Sequence, residues 1–340
     1  MLLIRYRGLF LFTSLIIPKA MADEPKPNEM PRIDRIRLAE AFRLADAIGN
    51  RVWPNWDKSP FGVLLVTPDY EFLVNHPKPS DEFTPLGEDA ILKCKVWRRK
   101  RQFNPKFLAT FPAVGGIPTI VIGQAENTTT KASTHWVITV LHEHFHQLQY
   151  SQPRYFADVE ALGLARGDQS GMWMLSYPFP YTEAEVKDQF ALTCNALAEA
   201  FRSRSKPEFP DKLSAYLGAR RKLNSLLKPD DQKYLAFQSW QEGIARYTEY
   251  RLAELAAAEY KPTKEFQALP DFVPLDKEAK TVLAGIEKEL TSMRLERDKR
   301  EIFYAFGAAE GLVLDRAKPD WRKRYFDETF AIDQHLPGNK

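Results

Sequence analysis

Ser133-Thr-His-Trp-Val-Ile-Thr-Val-Leu-His142-Glu143-His144-Phe145-His146-Gln-Leu-Gln-Tyr150 is the stretch around which the remaining sequence falls into place. Val137, Val140, Leu141 and Leu148 recur at helical spacing, and Ser133 or Thr134 is placed to cap the first turn. The run is therefore expected to be an amphipathic helix with one buried stripe. At about 100° per residue, His142 and His146 lie within roughly 40° of each other, on the side away from Val137, Leu141 and Leu148. Glu143 projects beside them. His144 falls about 200° from His142, on the apolar stripe, where a core histidine satisfied by a neighbouring carbonyl is expected rather than a ligand.

Two imidazoles one turn apart can grip a single ion. His-Glu-x-x-His on a helix is the arrangement in which the histidines bind zinc (Zn2+) and the glutamate serves as general base, which assigns His142 and His146 as ligands and Glu143 as base. The competing reading is a polar helix face with two exposed histidines. A catalytic zinc takes three protein ligands and keeps one position open. His76, His135 and His335 are scattered, so a carboxylate on a separate helix is the natural third ligand. A metzincin would carry a histidine six residues beyond the second and a glycine between; Gln152 and Gln149 stand there, which excludes that class.

Ser239-Trp240-Gln241-Glu242-Gly243-Ile244-Ala245-Arg246-Tyr247-Thr248-Glu249 resembles the second-ligand helix of gluzincins, the thermolysin-like and aminopeptidase-like zinc peptidases, in its Trp-x-Glu-Gly-x-Ala pattern followed by an aromatic and an acidic turn. The resemblance covers two short motifs and not the whole chain. It implies that Glu242 is the third zinc ligand, with Asp158 and Glu160 as alternatives nearer in sequence. It also implies a zincin-like fold and hydrolysis of a peptide or protein substrate. Gly243 would let this helix approach the metal helix closely. The separation from His146 to Glu242 is longer than in many gluzincins, so an insertion must loop out. Arg246 stands where thermolysin-like enzymes place an aspartate that orients a zinc histidine; Glu249, on the face of Glu242, is expected to take that role with Arg246 as its helical partner. A Gly-x-Met-Glu-Asn segment is absent, which argues against N-terminal trimming. Gluzincins stabilise the oxyanion with a tyrosine or histidine on a downstream helix, and Tyr304 fits that description, with Tyr247 and His335 as alternatives. A reading from another class is a zincin-like module that binds metal or peptide without turnover.

Composition is compatible with this chemistry and excludes little else. The 340 residues are 44% apolar with a net charge of +3, so there is ample core and no global field for nucleic acid. The basic run Lys93 to Lys106 surrounds Trp97 and Phe103; it is expected to be a solvated strand edge, with no nucleic-acid partner. Arg5 and Arg7, the apolar run Gly8 to Ile17, and Ala20-Met21-Ala22 mark residues 1–22 as a signal peptide, giving a secreted or periplasmic protein that starts at Asp23. That run is about ten residues, too short for a membrane span, which needs roughly 20, so no stable membrane insertion is expected. Cys94 and Cys194 are either one disulfide or two free thiols.

The fold class expected is α+β, a small N-terminal sheet with a predominantly helical remainder. Residues 23–31 form a flexible lead-in, and 32–340 a single catalytic region, with its β-containing part over about 50–125 and its helical part over about 130–335. Ile33 to Ile48 should be helical, Phe61 to Val66 and Glu71 to Val74 a hairpin, and Phe107 to Phe111 and Thr119 to Ile122 further strands. The last of these, close before the metal helix, could be an edge that pairs with an extended peptide. Gly163 to Tyr181 is irregular, with its aromatics packing as a loop core. Thr182 and Glu185 suggest a capping box opening a helix to about Arg204. Helices then follow around Asp211 to Leu227, Asp230 to Tyr260, Lys277 to Leu295 and Arg300 to Arg316.

Overall fold

A computed structural model describes residues 29–337; the expected signal peptide, and residues 23–28 of the lead-in, lie outside the described residues. The chain enters through α1 (Arg32–Val52), preceded by Pro31. Six strands follow: β1 (Val63–Val66), β2 (Tyr70–Val74), β3 (Thr84–Glu88), β4 (Lys95–Lys100), β5 (Leu108–Val114) and β6 (Ile117–Gly123). They form one sheet in the order β3-β4-β2-β1-β6-β5. The expected hairpin is β1 and β2, closed by Thr67, whose hydroxyl donates to the Tyr70 carbonyl at 2.8 Å. β1 and β6 run parallel, and the other pairs are antiparallel.

β1 is Val-Leu-Leu-Val because both of its faces are covered. Val63 and Leu65 join the large core shared with the helices, while Leu64 and Val66 join a smaller cluster with Leu73, Phe83, Val114 and Val121 on the far face. Two expectations about edges are corrected here. β6, which contains Thr119 to Ile122, is interior, paired on both sides, and the free edge beyond it is β5. The basic run is no edge either: β3 covers β4, and Arg99 is buried against Glu71 at 2.7 Å and Glu82 at 2.6 Å. Carboxylates balance the charge of Arg99, while Lys93, Lys95, Lys100, Arg101 and Lys106 are exposed to water.

The remainder is helical: α2 (Ser133–Tyr150), α3 (Tyr155–Ala161), α4 (Trp173–Ser176), α5 (Ala184–Ser203), α6 (Phe209–Leu226), α7 (Pro229–Gln238), a π-helical turn (Ser239–Gly243), α8 (Ile244–Glu259), α9 (Lys264–Gln267), α10 (Leu275–Ser292), α11 (Leu295–Asp298) and α12 (Ile302–Ala317). Among the described residues no helix is long and apolar enough to cross a membrane. α2 lies between α1, β5 and β6 on one side and α8 and α10 on the other. Its polar face is therefore buried too, and the single buried stripe expected for it is corrected: His142, Glu143 and His146 are buried along with Leu141 and Leu148.

Neither expected cap forms. Ala132 occupies the N-cap of α2; Ser133 instead accepts from Arg37 and donates to Asp271, and Thr134 donates to the Val273 carbonyl. α5 starts at Ala184 with Glu183 at its N-cap and no side-chain cap, so Thr182 and Glu185 make no capping box. The single helix expected over 230–260 is divided by the π turn. In the irregular segment Trp173, Tyr177 and Phe179 pack against Phe237, Tyr234 and Phe303, as expected of a loop core. Cys94 and Cys194 are free thiols, and burial raises the pKa of both, Cys94 to about 11.

Candidate metal centre

One helical turn of α2 brings the Nε2 atoms of His142 and His146 to 3.2 Å. Glu242 Oε2 lies 3.3 Å from His146 Nε2 and 3.8 Å from His142 Nε2. A tetrahedral zinc with ligand bonds near 2.0–2.1 Å sets its donors about 3.3 Å apart. Two of the separations match the edge of that tetrahedron and the third, His142 to Glu242 at 3.8 Å, is longer; the donor chemistry, two imidazoles and a carboxylate, suits zinc. Among the described residues this is the cluster with metal-ligand spacing.

Glu242 reaches the histidines from the π turn between α7 and α8. Such turns insert one residue into a helix and re-aim its side chains. The turn is held by close backbone packing against α12: a Cβ on Gly243 would lie 2.5 Å from the Gly307 Cα, and one on Gly307 would lie 2.6 Å from the Ser239 carbonyl oxygen. Gly243 therefore serves the approach of α12 and not, as expected, that of the metal helix. Gly307 gives the Tyr304 helix its close approach to the π turn.

Each imidazole is oriented from behind. His142 Nδ1 lies 2.7 Å from Glu249 Oε1, and Glu249 is in turn ion-paired with Arg246, which also reaches Glu289 at 3.1 Å. Glu249 is buried and Arg246, its partner one turn earlier, is half-buried. His146 Nδ1 lies 2.7 Å from Gln149 Oε1. The Gln149 amide nitrogen donates to the carbonyls of Trp240 and Gln241 and to the Tyr325 hydroxyl, so one side chain ties the ring to the π turn. In the tautomer in which each Nδ1–H donates to these oxygens, both Nε2 lone pairs face the cluster centre; the Gln241 amide nitrogen also lies 3.1 Å from His146 Nδ1.

The electrostatics favour a cation there. Burial opposes charge on every group, yet Glu242 is held well below the ordinary carboxylate range by His146 and His142, and Glu249 falls to about 2 through Arg246 and His142. Burial likewise pushes His142 down, but Glu242 and Glu249 outweigh it and raise it to about 10.

Glu143 points to another partner. Thr110 Oγ1, on edge strand β5, lies 2.8 Å from Glu143 Oε2 and 2.9 Å from the Glu143 main-chain oxygen. The Tyr304 ring is parallel to that of His142, with centroids 6.3 Å apart, and its hydroxyl accepts from Arg300 Nη1 at 3.0 Å. Burial and the Glu242 carboxylate keep this phenol protonated. The alternatives lie elsewhere: the Tyr247 hydroxyl is held by Asp315, His335 sits beside Trp321 and Glu328, Asp158 binds Thr329 and Arg154, and Glu160 is exposed. His144 is the expected core histidine, stacked on Phe61 at 3.7 Å, bonded to the Gln147 side-chain carbonyl, and lowered by burial to about 3.

Thr110, Gln149 and Arg300 were not foreseen. Gln149 had a signal, since it follows His146 by three residues on the same helical face. Arg300 likewise precedes Tyr304 by one turn. Thr110 had none, because only the strand order brings β5 beside α2. No protein-family model, curated protein or solved structure matches this chain.

Proposed function

We propose that the chain is an exported zinc-dependent metallohydrolase of gluzincin type, a peptidase with a zincin-like fold. The observation that carries this reading is the convergence of the His142, His146 and Glu242 donor atoms, 3.2–3.8 Å apart, with Glu143 alongside. Support for a zincin-like arrangement comes from a metal helix packed on the sheet beside an antiparallel edge strand, with the third ligand on a later helix.

His142, His146 and Glu242 would hold the metal. When bound, zinc supplies Lewis acidity toward a carbonyl oxygen and acidifies water at its open position. Glu143 takes the proton of the attacking water and passes it to the leaving amine, while the Thr110 hydroxyl holds its carboxylate in one orientation. Tyr304 donates its phenolic proton in a hydrogen bond to the oxyanion. The β5 edge offers main-chain groups for an extended peptide beside Glu143.

A module without turnover would be favoured by the lack of an orienting aspartate and of an oxyanion group. The Glu249 carboxylate 2.7 Å from His142 Nδ1 and the Tyr304 ring beside His142 support the hydrolase over it. The test is metal analysis and peptide cleavage by purified protein. One zinc per chain, with cleavage abolished by a chelator and by Glu143→Gln, is expected; stoichiometric zinc without cleavage of a mixed peptide library would favour the binding module. Export is tested separately, by finding Asp23 as the N-terminus of the protein recovered outside the cytosol.

A further inference from the structure

Arg300 lies on the 3-10 turn Lys299–Glu301 leading into α12, and it brings a guanidinium to the metal cluster. Nη1 donates to the Tyr304 hydroxyl at 3.0 Å and lies 4.0 Å from Glu242 Oε1, beyond hydrogen-bond range. Among the described residues these are its polar partners, while its side chain is only 25% exposed. A guanidinium carries five donors, stays charged, and is costly to enclose without an anion. Glu242 turns Oε2 to both imidazoles and leaves Oε1 as a long ion-pair partner of Arg300, with no hydrogen bond between them. Among the described residues Arg300 therefore holds donors beside the cluster to which no carboxylate of the protein is hydrogen-bonded.

We propose that these donors bind the C-terminal carboxylate of the substrate, making the protein a carboxypeptidase that releases one residue at a time. This rests on the peptidase reading above. From a scissile carbonyl to the carboxylate of the next residue is about one residue repeat, roughly 3.5 Å, which fits a guanidinium one hydrogen bond from Tyr304. The ligating imidazoles are also nearly enclosed, at 6% and 5% exposure, which suits a chain end better than a chain running through. In the step, the water oxygen bonds to the carbonyl carbon of the penultimate residue and the C–N bond breaks. One water proton travels through Glu143 to the leaving nitrogen, yielding a shortened peptide acid and a free amino acid.

The test uses the full-length mature protein loaded with zinc. In the Glu143→Gln variant, calorimetric titration with a peptide acid and with its C-terminal amide should show at least tenfold tighter binding of the acid. Arg300→Met in that background should erase the preference with zinc content unchanged, and Arg300→Lys should keep part of it. Equal affinities for acid and amide, or a preference that survives Arg300→Met, would overturn the proposal. Mass spectrometry of the wild-type digest should show loss of single C-terminal residues from the acid. Internal cleavage of acid and amide at equal rates would overturn the carboxypeptidase assignment and leave the peptidase standing. Cleavage of neither would overturn the peptidase reading, and this assignment with it.

Discussion

Glu143 and Glu242 are two glutamates of one cluster set apart by their neighbours. Glu242 faces two imidazole nitrogens, whereas a threonine hydroxyl holds Glu143. Glu143→Gln should therefore lower peptide turnover by at least about a thousandfold with zinc retained, as general-base removal does, while Glu242→Ala should lose the metal; elemental analysis beside a cleavage assay checks both. Glu249→Gln should weaken zinc binding by roughly 10–100-fold, the usual cost of an outer partner, read by competition with a chromophoric chelator. His144 gives a pH prediction. Its folded-state pKa of about 3 lies below the ordinary 6.5, so the unfolded chain binds the extra proton first. Stability is then fully present above pH 6.5 and is lost as pH falls toward 3. Between pH 6.5 and 5 the loss should be about 1–2 kcal/mol, and His144→Phe should remove it in urea unfolding at the two pH values. The adjacency of His142 and His146 was legible at this scale because a helix converts four-residue spacing into neighbouring side chains. Thr110 was not, since no local rule links a strand residue to a helix 33 positions on.

At the scale of elements the decisive contact is backbone to backbone, Gly243 and Ser239 of the π turn against Gly307 of α12. Gly307→Val should force α12 away from that turn. A loss of about 1–3 kcal/mol or more is expected for such overpacking, with weaker zinc binding because Glu242 is re-aimed; denaturant unfolding with zinc titration of the same variant checks both. The helices around this contact were readable from periodicity to within a few residues. The π turn was not, because its residues are ordinary helix formers and the extra residue is stabilised from outside the segment. The sheet shows the same limit. Strand runs declare themselves through β-branched residues, but a parallel β1–β6 pairing, which moves β6 inside and leaves β5 at the edge, depends on the path of the whole chain.

Across the whole molecule, the centre joins three parts far apart in sequence: α2, the π turn with α8, and the start of α12. An ion bound only by the folded state would stabilise it by about 4 kcal/mol at a thousandfold excess over its dissociation constant. Thermal unfolding should therefore shift upward with zinc and return on chelation in wild type, and stay unmoved in Glu242→Ala. The division into an N-terminal sheet and a helical remainder was legible from the change in hydrophobic period. The burial of α2 on its polar face was not, because that face is covered by elements that arrive a hundred residues later.

The two unpaired cysteines bear on how such a chain is made. With no covalent staple to close, folding need not wait for an oxidant or for thiol exchange. Active protein should then be recoverable from a reducing cytosol without refolding, and dithiothreitol should leave its unfolding profile unchanged once zinc is kept saturating.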